Sequence, residues 1–408
     1  MLSRRDVLKS TAGAALGAPM LMRGALAAVP GLRPDLPAGL GEVAVLDTLP
    51  GKRPLLKLSY RPPNYETPKA YFDSPVTPND AFFVRYHLAG LPEKAALEKW
   101  RLKLGGPGAE GEREVTLDQL KTEFEPVELT AICQCSGNRR GLAAPHVPGV
   151  QWGDGAMGAA RWKGARLKDV LTRLGIKKEA VELVMSGADV PVLEQTPKFV
   201  KSLPLWKALD ENALIAYAMN GEPLPFYNGF PARIVIPGWT GTYWMKHITE
   251  LHLITAPFDN FWMKTAYRLP QGKFPQIERF TGQENAQSMP ITEMVVNSLI
   301  TFPDDGQSLP AGKPLEIRGL AWDGGYGITG VAVSADGGAS WVPAVLGEDG
   351  GRFAFRPWSL TLPAPKPGKV TILVKATNRA GESQPDEPIA NPGGYHNNAV
   401  QRAAITLA

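Results

Sequence analysis

An α+β domain followed by an all-β sandwich is the fold class that this 408-residue sequence predicts. Three observations carry it. Glycine and proline, 43 and 38 residues, make up about a fifth of the chain and favour strands and turns over long helices. Up to about residue 285, short strand-like runs mix with segments of helical period. Beyond it, LEIRGLAW, GVAVSADGGASW, GRFAFRPWSLTL and KVTILVKATN alternate apolar and polar residues at period two, separated by DGG, GEDGG and PKPG turns. Such regular strand spacing reads as a β-sandwich of immunoglobulin type. The expected division is therefore a domain at 28–285 and a sandwich at 286–408, joined through ERFTGQENAQSMP. No internal repeat or low-complexity tract interrupts this pattern.

The elements follow in order. Residues 1–27 hold Ser3, Arg4, Arg5 and Lys9, then a short Gly/Ala-rich apolar run and Ala25-Leu26-Ala27. This is the pattern of a twin-arginine export signal, and it predicts a periplasmic protein exported in the folded state. The run is too short to span a bilayer, and no later segment is apolar enough. The leader carries four of the cations against Asp6, so the formal charge of +4 is mostly leader, and no nucleic-acid partner is implied.

Residues 28–80 are Pro-rich and irregular, as in a long arm packed on a core. AFFVRYHLAG (81–90) reads as a strand and turn, WRLKLGG (100–106) as a strand, and EVTLDQL (114–120) as a short helix. VELTAICQCSGNRRG (127–141) runs a strand into a Gly/Asn turn. ARLKDVLTRLG (165–175) is a helix stopped by Gly175. VELVMSG (181–187) is a buried strand, WKALDENALIAYAMNG (206–221) a helix and then a strand, and ARIVIPGW (232–239) a strand entering a turn.

Both cysteines, Cys133 and Cys135, lie in AICQCSGNRRG beside Arg139 and Arg140. A disulfide across one residue would be strained and would close almost no loop. Zinc needs more Cys or His than this spacing offers. A thiolate near guanidinium groups suits a nucleophile, a soft-metal ligand completed by a cofactor, or a buried structural residue. The C-Q-C spacing also lacks the C-x-x-C-H of haem c attachment, so no haem is expected in this chain.

C-S-G-N-R-R at 135–140 resembles the C-A-G-N-R-R stretch of the sulfite oxidase family of molybdenum enzymes. FFVRYH (82–87) is similar to that family's F-F-V-R-N-H, and ARWKGARLKDVL (160–171) to its A-R-W-x-G-A-R-L-x-D-V-L. YAMNGEPLP and GFPARIVIPGWTGTYWMKH (229–247) continue the likeness, which covers nearly the whole chain after the leader. The nearest resemblance is to the periplasmic, cytochrome-linked sulfite dehydrogenases of bacteria.

The resemblance implies a sulfite oxidase fold with a molybdenum-pyranopterin cofactor (Mo-molybdopterin), and a C-terminal domain like that family's dimerisation domain. Cys135 is then the metal's protein ligand and Cys133 a core residue. Arg85, Arg140, Arg356 (in FAFRPW) and Tyr267 (in FWMKTAYRLP) are nominated for the substrate anion. His87, Asp189, Asn228, Arg233, Trp244, Met245 and Lys246 are nominated for the cofactor, with Arg85 beside them; Arg139 is expected to be structural. Arginine suits an anion because its rigid fork is always charged.

Two departures stand out. Asn228 replaces a histidine frequent before G-F-P, and Pro148 stands where the animal enzymes carry lysine. The implied reaction is oxidation of sulfite to sulfate by oxygen-atom transfer, with electrons passed to a separate c-type cytochrome. The alternatives are a sulfane dehydrogenase of a thiosulfate-oxidising system and a non-catalytic periplasmic binding module. Assembly could be a homodimer through the sandwiches or a complex with a cytochrome subunit.

Overall fold

A computed structural model describes residues 45–274 and 285–408. The expected export signal, the start of the arm and most of the linker lie outside the described residues. Two five-stranded sheets build the first domain. One runs in the order Val200–Pro204, Glu182–Gly187, Ile248–Ile254, Arg101–Gly105 and Arg113–Thr116. The other runs Glu222–Pro223, Leu214–Met219, Met157–Arg166 and Pro126–Gln134, with Arg233–Val235 also paired to Leu214–Met219. Helices are few and short. Leu117–Thr122 starts in a reciprocal cap, in which Thr116 Oγ1 accepts from Gln119 N and Gln119 Oε1 accepts from Thr116 N. Leu167–Leu174 buries Leu167, Val170 and Leu171 on one face, as its spacing requires.

Several elements differ from expectation. The arm is not irregular throughout: Leu46–Asp47, Leu55–Ser59, Asn64–Glu66 and Val84–Arg85 form a four-stranded sheet. These strands are short and interrupted by proline, so no period shows in the sequence. Of the expected strand over 81–90, Val84–Arg85 joins a sheet and Gly90 makes an isolated bridge to Val190. The expected helix after Trp206 is the four-residue Leu205–Ala208. Asp210 explains its early end, because its carboxylate accepts from Asn212 N (2.8 Å) and from Lys207 Nζ (2.9 Å), a local turn competing with helix.

The sandwich consists of a four-stranded sheet ordered Asn297–Phe302, Leu315–Trp322, Arg356–Leu362 and Val345–Leu346, and a five-stranded sheet centred on Gly368–Asn378. A separate apolar core including Ile317, Val333, Trp358, Ile372 and Ile405 fills it. Ser288–Pro290 still pairs with Arg268–Pro270 in the first domain, so the sandwich's strands begin later than the expected 286. Another buried cluster bridges the domains, joining Ile132, Met157 and Ala159 to Leu299, Leu320, Trp322 and Phe355. Ile132 N donates to Phe353 O (3.0 Å), and Trp322 Nε1 donates to Gln134 Oε1 (2.6 Å). The second domain thus braces the strand that carries the cysteines. Among the described residues, no helix is long and apolar enough to cross a membrane.

Candidate active site

The strand Pro126–Gln134 ends where Cys135 N donates to Ala156 O (2.9 Å) and Cys135 O accepts from Asn138 N (2.9 Å). Asn138 closes the turn by accepting from Ala156 N. Gly137 leaves room for Arg140: a Cβ there would lie 2.4 Å from the guanidinium, which would have to move. Cys133 and Cys135, two residues apart and so on one side of the strand, both line a single cavity. Around them stand Arg85, His87, Asp189, Asn228, Arg233, Trp244, Met245, Lys246 and Tyr267, residues spread over more than 180 positions of sequence. Cys133 belongs to the apolar core as well as to the cavity wall, and burial raises its thiol pKa.

The side chains are held closely. Arg85 NH1 accepts no freedom from its neighbours: it donates to Asn64 Oδ1 (3.2 Å) and to Tyr86 O, while NH2 reaches Tyr267 OH at 3.4 Å. His87 Nε2 is hydrogen-bonded to the same phenol, and its ring stacks on Phe199 with centroids 3.6 Å apart. Burial first, then the positive charges of Arg85, Lys246 and Lys201, pushes the His87 pKa well below its ordinary value, so the imidazole is neutral.

Arg233 lies over both the Trp162 and Trp244 rings, 5.0 and 5.6 Å from their centroids. It donates to Asn228 O and Trp244 O, and its NH2 stands 3.8 Å from Cys133 Sγ. Lys246 sits over the Tyr86 ring, donates to Arg85 O and faces Asp189; burial lowers its pKa to about 7 despite that carboxylate.

Asn228 has a partner that the sequence did not reveal. Lys52, from the arm, donates to its Oδ1 (2.6 Å) and to Phe82 O (3.0 Å), while Asn228 Nδ2 donates to Phe83 O (3.2 Å). The amide expected to serve the cofactor is thus engaged by protein. Arg140 lies behind the cavity rather than in its lining: Nε donates to Gly393 O (2.7 Å) and NH1 to Val150 O (3.0 Å). Arg139 has the structural part expected of it, with Nε 3.2 Å from Asp154 and NH1 donating to Asn297 Oδ1 and Ala399 O of the second domain.

Arg356 is absent from the cavity lining and pairs with Asp349 at 2.8 Å. The second domain sends instead the segment 391–398, whose Tyr395 stacks on Tyr267 (5.4 Å, 15°). Ser136, Thr242, Phe199 and Tyr395 escaped the sequence reading; the first two lay inside quoted motifs, whereas Phe199 and Tyr395 had no such signal.

The cavity suits a large polar cofactor. Ser136 Oγ, Thr242 Oγ1, Arg85 Nε and Arg233 Nε are buried there with no hydrogen-bond partner, a costly arrangement for protein alone. Among the described residues, no three His, Cys, Asp or Glu side chains gather as a metal nest, so a metal here needs most of its ligands from a cofactor.

Similarity to known proteins agrees with the geometry. Residues 88–262 match the oxidoreductase molybdopterin binding domain, and residues 288–408 match the Mo-co oxidoreductase dimerisation domain. The mitochondrial sulfite oxidase of Homo sapiens is 35% identical over 375 residues, covering 88% of this chain and 67% of that protein. This chain belongs to the sulfite oxidase family. The sulfite oxidase of Arabidopsis thaliana is 30% identical and is covered over 95% of its length. Among solved structures, the sulfane dehydrogenase SoxCD from Paracoccus pantotrophus aligns with a TM-score of 0.72 at 25% identity, covering 86% of this chain and 88% of that one. The family member is a molybdenum-dependent oxidoreductase that binds Mo-molybdopterin, and it has the expected fold.

Proposed function

We propose that this family member oxidises sulfite to sulfate in the periplasm, after twin-arginine export, and passes electrons singly to a c-type cytochrome. The observation that carries the reading is the meeting of Arg85, His87 and Tyr267 beside Cys135 in one cavity. Cys135 would ligate the metal. Arg233 and Lys246 would face the cofactor's phosphate, with Ser136 and Thr242 giving it hydroxyl partners. The bound cofactor supplies oxygen-atom transfer and stores the two electrons.

The protein's own part is binding and charge. Arg85 attracts and orients a small oxoanion by charge-assisted hydrogen bonds, and Arg140 adds its field from behind Tyr267. The Tyr267 phenol donates a hydrogen bond either to the substrate or to the neutral ring of His87. Enclosure by Phe82, Phe83 and Phe199 limits water and strengthens those interactions. The match over residues 288–408 supports a homodimer through the second domain.

A second reading, oxidation of sulfane sulfur, is favoured by the likeness to the SoxCD structure. Stopped-flow measurement with cytochrome c and with oxygen as acceptors, using sulfite and a sulfane donor in turn, decides among these. The reading predicts fast sulfite-dependent cytochrome reduction and slow reaction with oxygen. Fast turnover with oxygen alone would make the protein an oxidase, and turnover of the sulfane donor alone would favour the second reading.

A further inference from the structure

The segment 391–398 is the second domain's reach into the first. Asn391 braces it, with Oδ1 accepting from Tyr395 N (2.9 Å) and Nδ2 donating to Tyr395 O (2.8 Å). His396 N donates to Ser136 O (3.2 Å), one residue from Cys135. Between these anchors the Tyr395 ring lies parallel to Tyr267 and 5.2 Å below the Arg140 guanidinium carbon. Gly393 has to be small, since a Cβ there would fall 2.3 Å from the Tyr395 ring. Its carbonyl takes the Arg140 Nε proton, so the same segment holds that guanidinium by an edge and by a ring face.

Tyr267 needs such support. Its φ is +58°, a left-handed conformation that a bulky residue keeps only where its surroundings impose it. Ile291 N donates to its carbonyl (2.8 Å), and Lys201 Nζ lies 5.4 Å from its ring centroid. Neither of those contacts is a flat surface against the ring. Tyr395 supplies one.

We propose that Tyr395 is a positioning residue of the anion site: its ring fixes the Tyr267 phenol and the Arg140 guanidinium, and so sets oxoanion affinity rather than turnover. The proposal rests on the reading of this cavity as an oxoanion site. Aromatic stacking and a cation over a ring together correspond to about tenfold in binding.

The test uses the purified holoenzyme with Tyr395→Leu and Tyr395→Phe. Sulfite KM and kcat are measured, and sulfate affinity is measured separately by calorimetry, which needs no turnover. Tyr395→Leu should raise sulfite KM and the sulfate Kd about tenfold, with kcat within about threefold and molybdenum content unchanged. Tyr395→Phe, which keeps the ring, should restore both to within about twofold. Equal losses in the two variants, or unchanged sulfate affinity in Tyr395→Leu, would overturn the proposal. Loss of metal or of melting temperature in Tyr395→Leu would make the residue structural and overturn it too. A wild-type protein that bound sulfate but did not oxidise sulfite would sink the functional reading and leave the calorimetric comparison to judge Tyr395.

Discussion

The turn at 135–140 and the segment 391–398 meet at the same site but are built on different terms. The turn is local. Most of its backbone hydrogen bonds fall within a few residues, or on the adjacent 153–156, so its sequence is compact and diagnostic. The segment 391–398 has almost no secondary structure: Asn391 braces it locally, but its place at the site is set by contacts more than 100 positions away, such as Asn397 Nδ2 to Arg139 O. What a chain needs to hold a cofactor can be written in one stretch. What it needs to set the second side of the same site is dispersed.

The first way to break that contrast is at the cysteines. Cys135→Ser should lose nearly all sulfite oxidation, because an alcohol is a hard, poorly ionised ligand where a thiolate is needed. Cys133→Ser should keep most activity, losing some through its contact with Arg233. An inactive Cys133→Ser beside an active Cys135→Ser would reverse the assignment.

Next comes the join between the regions. Arg139→Met leaves Asp154 buried without its guanidinium partner and removes bonds to Asn297 and Ala399. Breaking a buried pair in this way costs about 3–5 kcal/mol. Urea unfolding should show that loss, with the domains separating earlier than in the wild type; a midpoint within error of wild type would contradict it.

A smaller effect concerns pH. His247 is buried, bonded at Nε2 to Tyr86 OH (2.7 Å) and at Nδ1 to Phe230 O (2.6 Å), and burial lowers its pKa to about 3. The unfolded chain, with an ordinary histidine near 6.5, binds the proton that the folded state refuses. Stability is therefore fully present above about pH 6.5 and falls as pH drops toward 3, by about 1.4 kcal/mol per pH unit for this residue. Burial places His396 in the same position. Denaturation midpoints at pH 7 and pH 5 should differ accordingly, and His247→Gln should flatten the slope. An unchanged slope would show that His247 is not the group responsible.

The smallest effect is expected at Arg356. Its partner Asp349 is two-thirds exposed, and such pairs contribute about 0–1 kcal/mol. Arg356→Met should leave sulfite KM within about twofold of wild type. A large rise would return this arginine to the site and weaken the case for 391–398 as the second domain's contribution.

Legibility in the sequence follows the same division. The strands of the sandwich showed because one face is buried and period two survives. Arg85, His87, Cys135, Arg233 and Lys246 showed because they lie in contiguous motifs, whereas Ser136 and Thr242 sat in the same motifs unnoticed. Arg356, nominated from FAFRPW, lies outside the cavity lining and pairs with Asp349, a contact seven positions away that the motif does not reveal. Tyr395 was missed because NPGGYHNN carries turn chemistry and no period. Lys52 was missed because its bond to Asn228 spans 176 positions, and nothing local marks either end.

The central claim, that Cys135 alone among the protein's side chains holds the metal, is tested most directly by X-ray absorption at the molybdenum edge. Wild type and Cys133→Ser should give the same sulfur coordination, and Cys135→Ser should show fewer sulfur neighbours. Unchanged coordination in Cys135→Ser, or a sulfur lost in Cys133→Ser instead, would contradict the account.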